Sequence, residues 1–166
     1  MKKLLIRLFI IAFLIGFGLN FTNVFNNSQA TRELEIPPTT LINTQNQEIE
    51  LTEELTPSSI ILLFLPQSPS SQQQLKNLVE VSNTQDQTEV LAIALGDIKE
   101  DKLTKIKEKY ELNYPLFIDS KARLATNLAI DTIPTLLAIN SQGKIVYKKT
   151  GITNPNKLEK IITSLN

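Results

Sequence analysis

The chain has 166 residues, with 17 Lys or Arg against 17 Asp or Glu, and contains neither cysteine nor histidine. This length allows one domain and a short appendage; without cysteine no thiolate, disulfide or mixed disulfide can form, and without histidine the commonest general base is absent. The usual zinc, copper and haem ligands are missing with them, so no metal and no cofactor is expected.

Charge is uneven along the chain. Lys2, Lys3 and Arg7 carry all the charge of the first thirty residues, which leaves 14 basic against 17 acidic residues in the body. A mildly acidic body without a basic block points away from nucleic acid. The three cations precede Leu8 to Leu19, an apolar stretch with the layout of a secretory signal peptide or an N-terminal membrane anchor. Ser28-Gln29-Ala30 offers a small-x-small cleavage site, but lies far beyond the apolar core. If uncleaved, residues 4–19 would form a hydrophobic helix holding the chain to a membrane, with Arg7 snorkelling. Either way the positive-inside bias sends the body out of the cytoplasm: to a periplasm, a lumen or a cell surface, anchored or secreted. The expected division is 1–30 as signal or anchor with linker, and 31–166 as the folded domain.

Gln29 to Pro38 reads as a linker. Thr40-Leu41-Ile42 and Glu48-Ile49-Glu50-Leu51 flank a polar turn and predict a β-hairpin. Ile60 to Leu65 is a continuous apolar run, as expected of a strand covered on both faces. Gln72 to Val81 has helical spacing, with Gln72-Gln73-Gln74 expected on its exposed surface. Val90 to Leu95 is a second buried strand. Ile98 to Leu112 is an amphipathic helix whose Leu103, Ile106 and Tyr110 share a face, with Asp101–Lys105 as a surface pair. Pro115 to Asp119 predicts a short strand and Lys121 to Leu128 a short helix. Thr135 to Asn140 and Lys144 to Lys149 form a hairpin through Ser141-Gln142-Gly143. Asn154 caps the last helix, with Pro155 in its first position and Leu158, Ile161, Ile162 and Leu165 as its apolar stripe. Buried strands alternating with helices predict an α/β sandwich with a mixed central sheet. Asp97, Asp119 and Asp131 lie near strand ends, are spaced neither as a dyad nor as a metal loop, and read as turn residues.

Three segments resemble a known family. Phe64-Leu65-Pro66-Gln67-Ser68-Pro69-Ser70-Ser71 resembles an F-x-x-x-C-P-x-C segment. Asp131-Thr132-Ile133-Pro134-Thr135 resembles a loop whose proline is cis and faces the two cysteines. Ile139 to Val146 with Gly151 resembles a terminal hairpin and the loop that follows it. Together, over roughly Pro38 to Asn166, they make the chain similar to the thioredoxin-fold, TlpA/ResA-like (redoxin) thiol-disulfide oxidoreductases. The long segment between the first two, with the Val90 strand and the helix at Asp101, resembles that branch's insert. The resemblance implies a thioredoxin-like three-layer sandwich with an N-terminal hairpin.

It also implies a lost reaction. Ser68 and Ser71 stand at the two cysteine positions, Gln74 at the position of a glutamate that often assists proton transfer, Gln67 at that of a frequent aromatic residue, and Leu62 where minimal thioredoxins carry a buried aspartate. A serine nucleophile needs an adjacent base, and the local residues are glutamine and proline; a serine here is expected to cap the helix instead. A peroxiredoxin alignment is the rival: Pro66 and Ser70 would fit its P-x-x-x-T pattern and place Gln73 at the reactive position, leaving Pro134 unexplained. The expectation is a pseudoenzyme with no catalytic residue of its own. Pro66, Gln67, Ser68, Pro69, Thr132, Ile133 and Pro134 would form a face that pairs with an extended polypeptide or scaffolds a complex, which needs no thiol. The alternatives are a component of a redox system whose thiols come from a partner, and a structural subunit of a membrane-associated assembly.

Overall fold

A computed structural model describes residues 34–83 and 88–165, so the expectations for residues 1–30 lie outside the described residues. The architecture follows from one strand. β3 (Ser59–Phe64) is buried at every position. Its side chains alternate between two apolar layers, as the two-residue period of a strand requires. Ile60, Leu62 and Phe64 pack into one layer, Ile61 and Leu63 into the other. Burying each such side chain contributes roughly 1.5–3 kcal/mol.

β3 pairs in parallel with β4 (Glu89–Leu95) and antiparallel with β6 (Thr135–Ile139). Beyond β4 lies β5 (Leu116–Asp119), also parallel, and beyond β6 lies β7 (Ile145–Thr150), antiparallel. The N-terminal hairpin, β1 (Thr40–Asn43) and β2 (Glu48–Glu50), joins through β1 antiparallel to β5. The result is a mixed seven-stranded sheet in the order β2-β1-β5-β4-β3-β6-β7. The hairpin turn is set by Asn43, whose Oδ1 accepts from the amides of Gln45 and Gln47, each at 2.9 Å.

One face of the sheet is covered by α2 (Pro69–Ser82), α3 (Glu100–Lys109) and α5 (Pro155–Thr163), through Leu75, Leu78, Leu103, Ile106, Leu158 and Ile162. The other is covered by α1 (Leu51–Glu54) and α4 (Arg123–Asn127), through Leu51, Leu124 and Ala125. These are the three layers expected. Two local readings change. Leu51 begins α1 instead of ending the hairpin: its amide donates to Thr39 O while Glu50 Oε1 accepts from Thr39 N, which turns the chain away from the strand. Gln74 is fully buried, not exposed, because it lies on the same face of α2 as Ser71, Leu75 and Leu78. Asn154 caps α5 as expected, accepting from Lys157 N at 2.9 Å. Lys105 and Asp101 pair at 3.4 Å on the exposed side of α3.

β7 is the last strand of the sheet. Ala138 faces Tyr147 and Ile139 faces Ile145, so Val146 is an extra residue in the ladder, a β-bulge. Its side chain is 54% exposed. Among the described residues no helix is long and apolar enough to cross a membrane.

Candidate functional site

The site begins where β3 runs out. Leaving a buried strand, the chain must find partners for its next backbone groups. Ser71, fully buried in the first turn of α2, supplies one: its Oγ accepts from Leu65 N at 3.2 Å. Ser68 N donates to Leu65 O at 3.0 Å, closing the turn. Gln72 Nε2 donates to Pro66 O at 2.9 Å and fixes it from the helix side.

Ser68 is the N-cap of α2. Its backbone is extended, and its Oγ accepts from Ser71 N at 3.4 Å; Pro69 follows in the first turn, where a missing N–H costs nothing. The hydroxyls of Ser68 and Ser70 lie 2.9 Å apart. Both serines at the expected cysteine positions therefore act as hydrogen-bonding residues of a strand–turn–helix junction. Their partners are backbone groups and Ser70, with no acid or base among them, so neither hydroxyl has a group to take its proton. Of the rival alignment's positions, Pro66 and Ser70 lie in this same turn, and Gln73 donates from the next turn to Asn77 Oδ1 at 2.9 Å.

The proline loop lies at the same end of the sheet. Leu63 pairs with Thr135, so Pro134 comes opposite Phe64, next to the turn that carries the serines. The Ile133–Pro134 bond is cis, as the resemblance implies. Thr135 Oγ1 donates to Thr132 O at 2.5 Å, and Thr132 Oγ1 donates to Asp131 Oδ1 at 3.0 Å. Pro134 is buried, Ile133 half-buried, and Thr132 exposed, as are Gln67 and Pro69 across the site. Pro134 O accepts from Gly151 N at 2.8 Å. Gly151 has φ +77°, a conformation that L side chains rarely adopt. The next residue, Ile152, is a large apolar side chain left 49% exposed.

Gln74 lies beneath this surface. Its Oε1 accepts from Thr153 N at 2.6 Å, and Asn77 Nδ2 donates to Thr153 O at 2.9 Å. Gln74 Nε2 and Thr153 Oγ1 are buried without a hydrogen-bond partner among the described residues. An unsatisfied buried polar group costs about 1–3 kcal/mol. Asn77, Ile152 and Thr153 are site residues that the sequence reading missed. The spacing of Asn77, three residues after Gln74 and six after Ser71, is the signal that could have found it.

Asp119 stands apart from this site. It is 2% exposed and takes the amides of Arg123 at 2.9 Å and Leu124 at 2.8 Å, so it serves the start of α4.

This fold is thioredoxin-like, and solved structures share it. StoA from Bacillus subtilis is 18% identical with a TM-score of 0.61, over 76% of this chain and 98% of that one. A secreted Mycobacterium tuberculosis disulfide oxidoreductase homologous to E. coli DsbE is 14% identical with a TM-score of 0.67, over 77% and 96%. A thiol:disulfide interchange protein of the thioredoxin family from Chlorobium tepidum is 16% identical with a TM-score of 0.67, over 81% and 97%. No curated protein matches the chain. Residues 33–148 match the AhpC/TSA family, and the chain belongs to that family.

Proposed function

We propose that this is a thioredoxin-like protein of the TlpA/ResA type that has no thiol chemistry of its own and binds a polypeptide at the Ser68–Pro134 face. The observation that carries this reading is the exchange of hydroxyls for thiols at both positions of the turn, beside an intact proline loop. Ser68 and Ser71 are engaged in capping and turn bonds. Pro66, which is buried, and the exposed Gln67 and Pro69 belong to the same turn, Thr132 and Ile133 lead into Pro134, and the exposed Ile152 follows the glycine bonded to Pro134. An extended peptide can pair with backbone groups at such a face without covalent chemistry. The secreted neighbour and the N-terminal apolar segment support a location outside the cytoplasm, anchored or released. A domain boundary near residue 30 belongs to the same reading.

Two experiments test it. The full chain should not reduce insulin when a dithiol is supplied. A photo-crosslinking residue at Gln67 or Thr132 should capture a discrete polypeptide in native membranes, whereas one at Lys105 should not. Equal capture at all three positions, or none at any, would remove the binding face. Membership of the AhpC/TSA family favours one second reading, a redox system in which a partner supplies the thiols. Insulin reduction that appears only with that partner present would favour it.

A further inference from the structure

Gln74 and Asn77 project about one turn apart from the inner face of α2 and reach the same residue. Gln74 Oε1 takes the amide of Thr153 at 2.6 Å, and Asn77 Nδ2 gives to its carbonyl at 2.9 Å. Two side-chain amides thus occupy both backbone groups of one residue in the loop between β7 and α5, as a neighbouring strand would. The backbone fixes their orientation. Thr153 N–H is a donor, so Gln74 must present its oxygen; Thr153 C=O is an acceptor, so Asn77 must present its nitrogen. Gln73 Nε2 completes the arrangement by donating to Asn77 Oδ1 at 2.9 Å.

The loop held in this way is the one that supports the proline. Two residues before Thr153, Gly151 N donates to Pro134 O at 2.8 Å. A continuous path therefore runs from α2, whose first turn carries Ser68 and Ser71, through Gln74 and Asn77 to Thr153, then along the backbone to Gly151 and Pro134. We propose that Gln74 and Asn77 are positioning residues, an amide clamp that sets the Pro134 loop against α2. Gln74 is then an acceptor in service of the loop, and a carboxylate is not required for that work. Its importance for partner binding rests on the function proposed above; the clamp itself does not.

Polarity gives the test. Gln74→Glu keeps an oxygen for Thr153 N–H in either protonation state. Asn77→Asp, nearly the same change in shape, loses the donor at neutral pH and sets a carboxylate against a carbonyl. Gln74→Leu fills the space and removes the acceptor. The readout is hydrogen exchange of the full chain at pH 7, followed by mass spectrometry on peptides covering residues 149–156, with peptides of β3 and β4 as the reference. Thr153 and Gly151 should lose about tenfold or more of their protection in Gln74→Leu and Asn77→Asp, and keep it in Gln74→Glu, while the reference peptides hold in all variants. Unchanged protection in Gln74→Leu, or the same response to the two acids, overturns the clamp. If Gln74→Leu does not fold, the contrast between the two acids still decides. Loss of partner capture with protection intact would count against the binding face and leave the clamp standing.

Discussion

Ser68 and Ser71 stand one helical turn apart at the start of α2, with the amide of Ser71 on the hydroxyl of Ser68. The Ser71 amide lies 3.4 Å from the Ser68 hydroxyl, and a disulfide between the two positions would require Cβ atoms about 3.8 Å apart. The double change Ser68→Cys, Ser71→Cys should form an intramolecular disulfide under mild oxidant, seen as protection from alkylation in the folded protein. Insulin reduction should stay weak, because Gln74 and Gln67 still stand where the resemblance to TlpA/ResA-like proteins puts an acid and an aromatic residue; two free thiols after oxidation would refute the alignment.

At the scale of elements, most of the fold was legible because its signals are local. Asn154 and Pro155 mark the start of α5, and the apolar runs of β3 and β4 mark buried strands. What escaped depends on contacts between distant residues. α1 exists because Glu50 and Leu51 bond back to Thr39, which four residues of sequence do not announce. The burial of Gln74 was legible and was missed: it falls three residues after Ser71 and four before Leu78, on the apolar stripe, but three glutamines in a row read as surface. Its partner Thr153 lies 79 residues away, beyond any local pattern. Asp119 reads as a turn residue in sequence; it ends β5, and its burial follows from the packing of that strand. Since its two oxygens hold the first amides of α4, Asp119→Ala should cost roughly 1.5–3 kcal/mol, measured by urea denaturation. A loss under about 0.5 kcal/mol, the range of ordinary surface changes, would show that the helix start is satisfied otherwise.

For the whole molecule, alkali probes the layer beneath α2. Tyr114 is buried, donates its hydroxyl to Leu75 O at 3.1 Å, and is held by desolvation well above the ordinary tyrosine value. The unfolded chain releases that proton near pH 10 and the folded one resists. Stability should decline above about pH 10, and the decline should be shallower in Tyr114→Phe, by thermal midpoints across that range; parallel curves would place the alkaline loss elsewhere. The bulge in β7 bears on a different property, solubility. Ile145 faces one apolar layer and Tyr147 the other, opposite Ile139 and Ala138 respectively. Excising Val146 would leave both of those pairings in place and straighten the ladder. The extra residue is therefore dispensable for packing. What it spoils is the template: a bent rim, with Lys148 and Lys149 beyond it, offers a second molecule no straight row of amides and carbonyls to copy. A chain lacking Val146 should fold, yet self-associate as its concentration rises in light scattering. A monomer at every concentration would mean that the lysines, together with Leu34 on the amide of Ile145, keep neighbouring molecules apart.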